Sequence, residues 1–183
     1  EWLLYTPHWE NEVQQLQADE KIVVEEKEFH KISIQKSPQG MLALFRKKTP
    51  GKITATALSG QLCLALDDVQ DPGNLGTIIR IADWFGIKHI FCSTATADAF
   101  NPKTVQASMG ALSRVELHYV NLPEFLSEMK DIPVYGTFFD GTDLYTRDLS
   151  PNGIIVMGNE GNGISPEIAQ LVSDRLLIPN YPK

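Results

Sequence analysis

The segment LCLALDDVQDPGNLGTIIRIADWF, residues 62–85, indicates the fold class most clearly. Its first five residues form an apolar run of the length of a buried β-strand. A polar turn containing Pro72-Gly73 follows, and apolar residues then recur at helical spacing over residues 75–85. A buried strand that leads through a turn into an amphipathic helix is the repeating unit of α/β proteins with parallel sheets.

The same alternation of strand and helix signals continues over residues 53–183. Short apolar runs bounded by turn residues predict buried parallel strands, and the segments between them predict helices on both faces of the sheet. The predicted strands are 62–66, 89–92, 114–119, 134–137, 154–157 and 176–178. The predicted helices are 75–85, 102–108, 122–130 and 166–172.

Residues 1–50 predict a separate and smaller α/β piece. The turn signal Thr49-Pro50-Gly51 follows an apolar run and marks the boundary with residues 53–183. Such a short piece buries little core by itself. Its predicted strands are 3–6, 21–25 and 41–46, and its predicted helices are 9–17 and 26–34.

The composition of the chain predicts a reduced, cytoplasmic protein. Hydrophobic residues make up 43% of its 183 residues, as in ordinary folded proteins, and no apolar run has the length of a membrane span. No leader peptide is recognisable, and the start at Glu1 suggests a piece of a longer product. Cys63 and Cys92 lie in apolar runs and predict buried strand thiols. The four histidines are scattered, so no metal site is expected.

The net charge of −7 does not by itself predict a nucleic-acid-binding protein, because phosphate contacts need lysine and arginine. Residues 1–52 carry eight acidic and eight basic side chains, whereas residues 53–183 carry fifteen and eight. Basic residues cluster at Arg46, Lys47 and Lys48. An RNA contact would therefore be local, and this cluster is its candidate position.

The first candidate site is the turn and helix that follow the strand at 62–66. Ligands of open α/β sheets gather just beyond the carboxyl ends of strands, where this turn lies. Asn74 is a suitable helix N-cap, and Arg80 is expected opposite the core-facing side of the helix. A surface ion pair between Arg80 and Asp83 explains the arginine equally well. The predicted core-facing residues are Ile78, Ile79, Ile81, Ala82 and Phe85.

The second candidate site is the glycine-rich loop Gly158 to Gly163, which follows the strand at 154–157. Ser165 and Pro166 suit the N-cap and first position of the next helix. The spacing G-x-x-G-x-G is neither the dinucleotide fingerprint G-x-G-x-x-G nor a phosphate-binding P-loop. A plain glycine-rich turn with a carboxylate bound to nearby backbone amides remains an alternative.

Together, the two segments resemble the SpoU family of the SPOUT superfamily of knotted RNA methyltransferases. Residues 74–80 match its Asn-x-Gly-x-x-x-Arg motif, and residues 158–163 match its Gly-x-Glu-Gly-x-Gly motif. Residues 107–111 resemble the family's Ser-x-Gly-Ala loop, and residues 176–180 resemble the start of its third motif. The likeness covers about residues 53–183. Residues 1–50 resemble the latter half of the small RNA-binding domain, similar to ribosomal protein L30, that precedes the catalytic domain in many members.

The resemblance implies an α/β knot that binds S-adenosylmethionine, needs no metal, and works as a homodimer on rRNA or tRNA. An N-terminal extension of this type is commoner among the rRNA-directed members of the family, so the resemblance favours rRNA over tRNA as the substrate. The third motif of the family continues beyond Lys183, so the printed chain is expected to lack the segment that completes the knot. The implied cofactor-binding residues are Thr137, Gly158, Asn159, Gly161, Gly163 and Ile178.

The implied chemistry is methyl transfer to a ribose 2′-hydroxyl, a poor nucleophile that must be held in line with the methyl group. The resemblance assigns Arg80 to the reacting oxygen, either as proton acceptor or as stabiliser of the developing negative charge. Asn74 and Glu160 would position the loops and Arg80. Two alternatives remain: a catalytically inactive RNA-binding or ribosome-assembly module on the same fold, and a nucleotide-binding α/β protein unrelated to RNA.

Overall fold

The computed structural model describes residues 1–47, 50–51 and 53–180. The chain divides into two compact units, Glu1–Thr49 and Pro50–Lys183. The division falls at the turn signal found in the sequence. Within the described ranges, no helix is both long and apolar enough to cross a membrane.

The N-terminal unit is a three-stranded sheet with two short helices. The central strand β1 (Trp2–Tyr5) pairs in parallel with β2 (Glu20–Val23) and antiparallel with β3 (Met41–Leu44). Helices α1 (Glu10–Gln14) and α2 (Glu26–Ile32) alternate with the strands. Each element begins within one residue of its predicted start and ends one to three residues earlier than predicted. A small apolar core supports this sheet, formed by Leu3, Tyr5 and Val13.

The second unit is built on a six-stranded sheet with the order β6-β5-β4-β8-β7-β9, in which every recorded pairing is parallel. The predicted α/β class with a mostly parallel sheet is therefore confirmed. Its strands are β4 (Leu62–Leu66), β5 (His89–Cys92), β6 (Glu116–Tyr119), β7 (Val134–Asp143), β8 (Gly153–Met157) and β9 (Asp174–Leu177). Its helices are α3 (Ala55–Leu58), α4 (Pro72–Trp84), α5 (Pro102–Ser108), α6 (Leu122–Glu128) and α7 (Pro166–Ala169).

Two apolar layers bury the two faces of this sheet. Successive side chains of a strand point to opposite faces, so Ile90 packs on the α4 side and Phe91 on the α6 side. Cys63 and Cys92 are both buried, as predicted, and belong to opposite layers. Burial raises the pKa of Cys63 to about 11 and that of Cys92 to about 12. Neither thiol is therefore a ready nucleophile at neutral pH.

The strand order places a topological switch point at β4. From β4 the chain proceeds outward through β5 to β6 and then crosses to the other side of β4, where β8 lies between β4 and β7. The connections leave β4 and β8 in adjacent positions, and a crevice forms where such neighbouring strands end. The sheet topology therefore brings together the loops after residues 66 and 157.

Three local expectations were wrong. Asn74 is not the N-cap of α4, because the helix begins earlier, with Asp71 as the N-cap and Pro72 at its first position. Ile81 and Phe85 are 48% and 74% exposed rather than core-facing, since only part of the predicted apolar face is covered by the sheet. Strand β7 is ten residues long rather than four, and includes an irregular section.

Candidate active site

The loops after β4 and β8 are joined at their bases by three hydrogen bonds. The backbone N–H of Asp67 donates to the carbonyl of Met157 at 2.9 Å. The Asp67 carboxylate is 5% exposed and accepts a 2.7 Å hydrogen bond from the backbone N–H of Ser165. Asn159 donates its side-chain N–H to the carbonyl of Asp68 at 2.8 Å. These three bonds fix the position of one loop relative to the other.

The glycine-rich loop closes on itself as a small hairpin. Asn159 and Gly163 exchange two backbone hydrogen bonds of 3.0 and 2.9 Å. The side-chain oxygen of Asn159 accepts from the N–H groups of Gly161 and Asn162 at 2.9 and 3.0 Å. A Cβ atom on Gly158 would lie 2.1 Å from the carbonyl carbon of Gly163. Only glycine fits at residue 158, because the two ends of the loop approach so closely there.

A further contact between the loops lies at an exposed position. The side-chain N–H of Asn74 donates a 2.8 Å hydrogen bond to the Glu160 carboxylate. This bond is the main reason that the pKa of Glu160 is lowered, with further lowering by backbone N–H groups and an opposing effect of burial. The structure therefore brings together two of the three residues to which the sequence assigned catalytic roles.

The start of α4 is held by residues that the sequence analysis did not single out. Asp71 accepts a 2.9 Å hydrogen bond from the backbone N–H of Asn74 and another of 2.7 Å from the Lys103 ammonium group. These bonds, with that of Lys103 the largest cause, lower the pKa of Asp71. The cap orients Asn74 at the third helical position, from which its side chain reaches Glu160. The sequence signal was Asp-Pro, a usual N-cap and first-position pair.

Arg80 is exposed on α4, and its side chain has no hydrogen bond or ion pair with any residue in the described part of the chain. It shares an exposed i, i+3 ridge with Asn74 and Thr77, about 9 Å along the helix from Asn74. The alternative of an Arg80–Asp83 ion pair is wrong, because Asp83 pairs with Arg114 at 2.7 Å instead. That bond lowers the pKa of Asp83. The guanidinium of Arg80 is therefore available to a ligand.

The neighbouring strands β7 and β9 border the same end of the sheet. Thr137 and Thr142 are both paired with Leu176, so residues 138–141 loop out of the ladder between them. Gly141 permits this loop, since an added Cβ would lie 2.5 Å from the carbonyl carbon of Leu176. The hydroxyl of Thr137 donates to the carbonyl of Val156 at 3.2 Å.

The loop at 138–141 is held in turn by Arg175, which lies over the Phe138 ring at 3.5 Å from its centroid and donates to Asp140 at 2.7 Å. Ile178, just beyond β9, is 57% exposed. The irregular section of β7 and the loops after β8 and β9 therefore line one end of the sheet with backbone groups and a few apolar side chains. Of the residues expected to bind the cofactor, Thr137 directly precedes that irregular section, Ile178 follows β9, and the others lie in the loop after β8.

The basic residues expected to contact RNA lie in the other unit. Arg46 and Lys47 are exposed after β3, whereas Lys48 lies outside the described residues. The backbone N–H of Arg46 donates to the Glu1 carboxylate at 3.3 Å. Their contribution to RNA binding stays a prediction.

Comparison with known proteins places these features in a family. Residues 61–183 match the model of the SpoU rRNA Methylase family. The chain is 33% identical over 155 residues to the 23S rRNA (guanosine(2553)-2′-O)-methyltransferase RlmP of Bacillus subtilis. The match covers 79% of this chain and 62% of RlmP, so the chain spans less than two thirds of that relative.

Two solved structures share the fold over almost the whole chain. A TrmH-family protein from Porphyromonas gingivalis superposes with a TM-score of 0.87 at 42% identity, covering 99% of this chain and 73% of that one. An rRNA methyltransferase from Sinorhizobium meliloti, solved with bound AdoMet, gives a TM-score of 0.85 at 29% identity, with 100% and 72% covered.

Proposed function

This chain belongs to the SpoU rRNA methylase family, and on that premise we propose that it methylates a ribose 2′-hydroxyl of ribosomal RNA with S-adenosylmethionine as methyl donor. The observation that carries the proposal is the Asn74–Glu160 hydrogen bond at the sheet's switch point. Asn74 lies on the same helix as Arg80, whose side chain has no partner among the described residues. These three residues come from the two motifs that the sequence shares with the family.

The residues at this end of the sheet suit S-adenosylmethionine. Asn159, Gly161 and Gly163 already donate their N–H groups within the loop, so the proposed cofactor-binding residues would offer mainly backbone C=O groups, which accept from the adenine amino group and the ribose hydroxyls. The exposed Ile178 adds an apolar surface for the base. When bound, the cofactor supplies an electrophilic methyl group on a sulfonium sulfur, so the reaction itself needs no metal. The proposed set is Thr137, Gly158, Asn159, Gly161, Gly163 and Ile178.

The chain's own residues would act by position and charge. The Arg80 guanidinium is a fixed cation that would stabilise negative charge developing on the ribose oxygen. As the sulfonium loses its methyl group and becomes a thioether, the hydroxyl proton would leave to water. Asn74 and Glu160 are positioning residues, because their hydrogen bond joins the helix that carries Arg80 to the glycine-rich loop. Placing the hydroxyl in line with the methyl group supplies much of the expected rate enhancement.

Ribosomal RNA is proposed over tRNA as the substrate. RlmP is named for methylation of guanosine 2553 of 23S rRNA, and the Sinorhizobium protein is also named an rRNA methyltransferase. We further propose that residues 1–50 are part of an RNA-binding domain similar to ribosomal protein L30. Its basic residues Arg46, Lys47 and Lys48 would then contact RNA phosphates.

A homodimer is proposed from one exposed apolar patch on α4. Ile81, Trp84 and Phe85 are 48%, 84% and 74% exposed, which is unusual for such large apolar side chains on one helix end. Light scattering on the whole protein should report a dimer. Trp84→Glu should shift the mass toward that of a monomer.

A cytoplasmic location also stays a prediction, consistent with two buried free cysteines.

The decisive experiment is methyl transfer from radiolabelled S-adenosylmethionine to rRNA extracted from cells that lack the gene. The full-length protein should label one ribose, and mapping of 2′-O-methyl sites should show that this site is absent without the gene. Arg80→Ala should reduce transfer by at least about 100-fold while the cofactor still binds. Lys130→Ala is the matched control, because it removes an exposed cation two residues beyond the end of α6, and it should transfer normally.

Two outcomes would overturn the proposal. Undiminished transfer by Arg80→Ala would remove the assigned role of Arg80. Binding of rRNA without any transfer would favour an inactive RNA-binding or assembly module on the same fold.

A further inference from the structure

We propose that His89, Glu116 and His118 form a binding site for a single Zn²⁺ ion. The three residues lie on β5 and β6 at the edge of the six-stranded sheet. His89 and Glu116 are the first residues of their strands, so the site is near the amino ends of the parallel strands. The loops with Asn74 and Glu160 are at the carboxyl ends, and the proposal is independent of the methyl-transfer function.

Strand register brings the three side chains to one face of the sheet. In the parallel pairing of β5 with β6, His89 is opposite Glu116, and Phe91 is opposite His118. Residues two apart on a strand point to the same face, so Glu116 and His118 project together, beside His89. Such an arrangement needs no loop movement to assemble, because all three backbones are fixed by the β-ladder.

The ligand atoms are already close to one another. His89 Nδ1 and His118 Nε2 are 3.2 Å apart, and Glu116 Oε2 lies 3.6 Å from the first and 3.8 Å from the second. Two imidazole nitrogens that bind one tetrahedral Zn²⁺ at its usual bond lengths lie about 3.3 Å apart. The side chain of Glu116 is 61% exposed and free to move the few tenths of an ångström that would complete the geometry.

Aromatic packing holds one of the ligands in place before any metal arrives. His118 is 6% exposed, and its ring stacks on Phe91 with 5.0 Å between centroids. Phe91 is stacked in turn on Phe125 of α6 at 4.0 Å. A ligand fixed by packing loses little side-chain entropy on binding, and the apolar surroundings strengthen its interaction with a cation.

The ligand chemistry favours zinc among the common divalent ions. Two imidazoles with one carboxylate form a borderline nitrogen and oxygen set, which suits Zn²⁺ better than the all-oxygen shells of Mg²⁺ and Ca²⁺. Water would fill the fourth tetrahedral position. Binding of Zn²⁺ would stabilise the protein, because the three ligands meet only in the folded state, where β5 and β6 are paired.

A histidine–histidine hydrogen bond without metal is the competing explanation of the same distances. The two explanations differ in one property, since only the metal site requires Glu116. In a simple histidine pair, the exposed carboxylate of Glu116 would contribute little.

The test is Zn²⁺ titration of the chelator-treated full-length protein by calorimetry, with Co²⁺ absorption as a report on tetrahedral geometry. We expect one ion per chain and a melting temperature that rises with Zn²⁺ concentration. Glu116→Gln, which alters only an exposed side chain, should weaken Zn²⁺ binding by at least about tenfold. His89→Gln is the second variant and should weaken it similarly.

Two matched controls separate this site from adventitious zinc on the surface. Glu128→Gln and His30→Gln remove an exposed carboxylate and an exposed histidine elsewhere, and both should bind Zn²⁺ like the unaltered protein. The proposal is overturned if the unaltered protein binds no stoichiometric Zn²⁺, or if Glu116→Gln binds it as tightly as the controls do.

Discussion

The side-chain amide of Asn74 donates a 2.8 Å hydrogen bond to the carboxylate of Glu160, although 86 positions separate the two residues in the chain. Asn74 lies in the first turn of α4 and Glu160 in the loop after β8. This bond connects α4 to the glycine-rich loop at an exposed position, beyond the hydrogen bonds that join the two loops at their bases. Its position makes it the most direct place to test how the site is assembled.

Asn74→Ala should reduce methyl transfer by about tenfold or more, because the Glu160 carboxylate is no longer held against α4. The free energy of unfolding should fall by no more than about 1 kcal/mol, since both side chains are exposed. Steady-state kinetics and urea denaturation measure the two effects. In a double-mutant cycle with Glu160→Ala, the two losses of activity should not add. Strict additivity would show that the hydrogen bond has no role.

The same bond predicts a pH dependence. Asn74 favours the ionised form of Glu160, so the pKa of Glu160 is lower in the folded than in the unfolded chain. The contribution of Glu160 to stability is therefore present above the ordinary glutamate pKa of about 4.3, and is lost as pH falls through the lowered value. Carboxyl-carbon NMR titration should find a depressed pKa that returns toward the ordinary value in Asn74→Ala. An identical titration in both proteins would contradict this.

Gly158→Ala should destabilise the protein by about 1–3 kcal/mol, because its Cβ would collide with the backbone of Gly163 and Ile164. Binding of S-adenosylmethionine should weaken as the loop is displaced. Gly161→Ala is the matched control in the same loop, where the nearest atom to the new Cβ lies at an ordinary 3.5 Å. Its stability should change by less than about 0.5 kcal/mol. Thermal melts of the two variants test the difference, and equal losses would count against the close approach.

Asp67→Ala should destabilise the protein by about 1–3 kcal/mol, because it leaves the backbone N–H of Ser165 without its buried acceptor. Hydrogen exchange at Ser165 should become faster, together with that of the glycine-rich loop before it. Asp148→Ala removes an exposed aspartate and should change neither quantity. Unaltered exchange at Ser165 in the Asp67 variant would show that this carboxylate does not hold the loop.

Sequence patterns predicted the elements of the sheet well and their ends less well. Strands β4 and β5 and helix α5 have the bounds predicted for them, because short apolar runs between turn residues mark buried parallel strands and the turns limit the helix. The start of α4 was misjudged, because Asp71 and Asn74 both suit an N-cap and only the Asp71-Pro72 pair distinguishes them locally. Helix α3 was not predicted, because its four residues are too few to show a helical periodicity.

The sequence by itself determined the α/β class, through local hydrophobic periodicity, and the identity of the motif residues, through their resemblance to a family. Tertiary structure alone decided the partners: Glu160 for Asn74, Ser165 for Asp67, and Arg114 rather than Arg80 for Asp83. It also brought His89 within 3.2 Å of His118, although the sequence suggested scattered histidines. Partners of this kind follow from strand order and register, which arise from packing between segments far apart in the chain and leave no local periodicity to read.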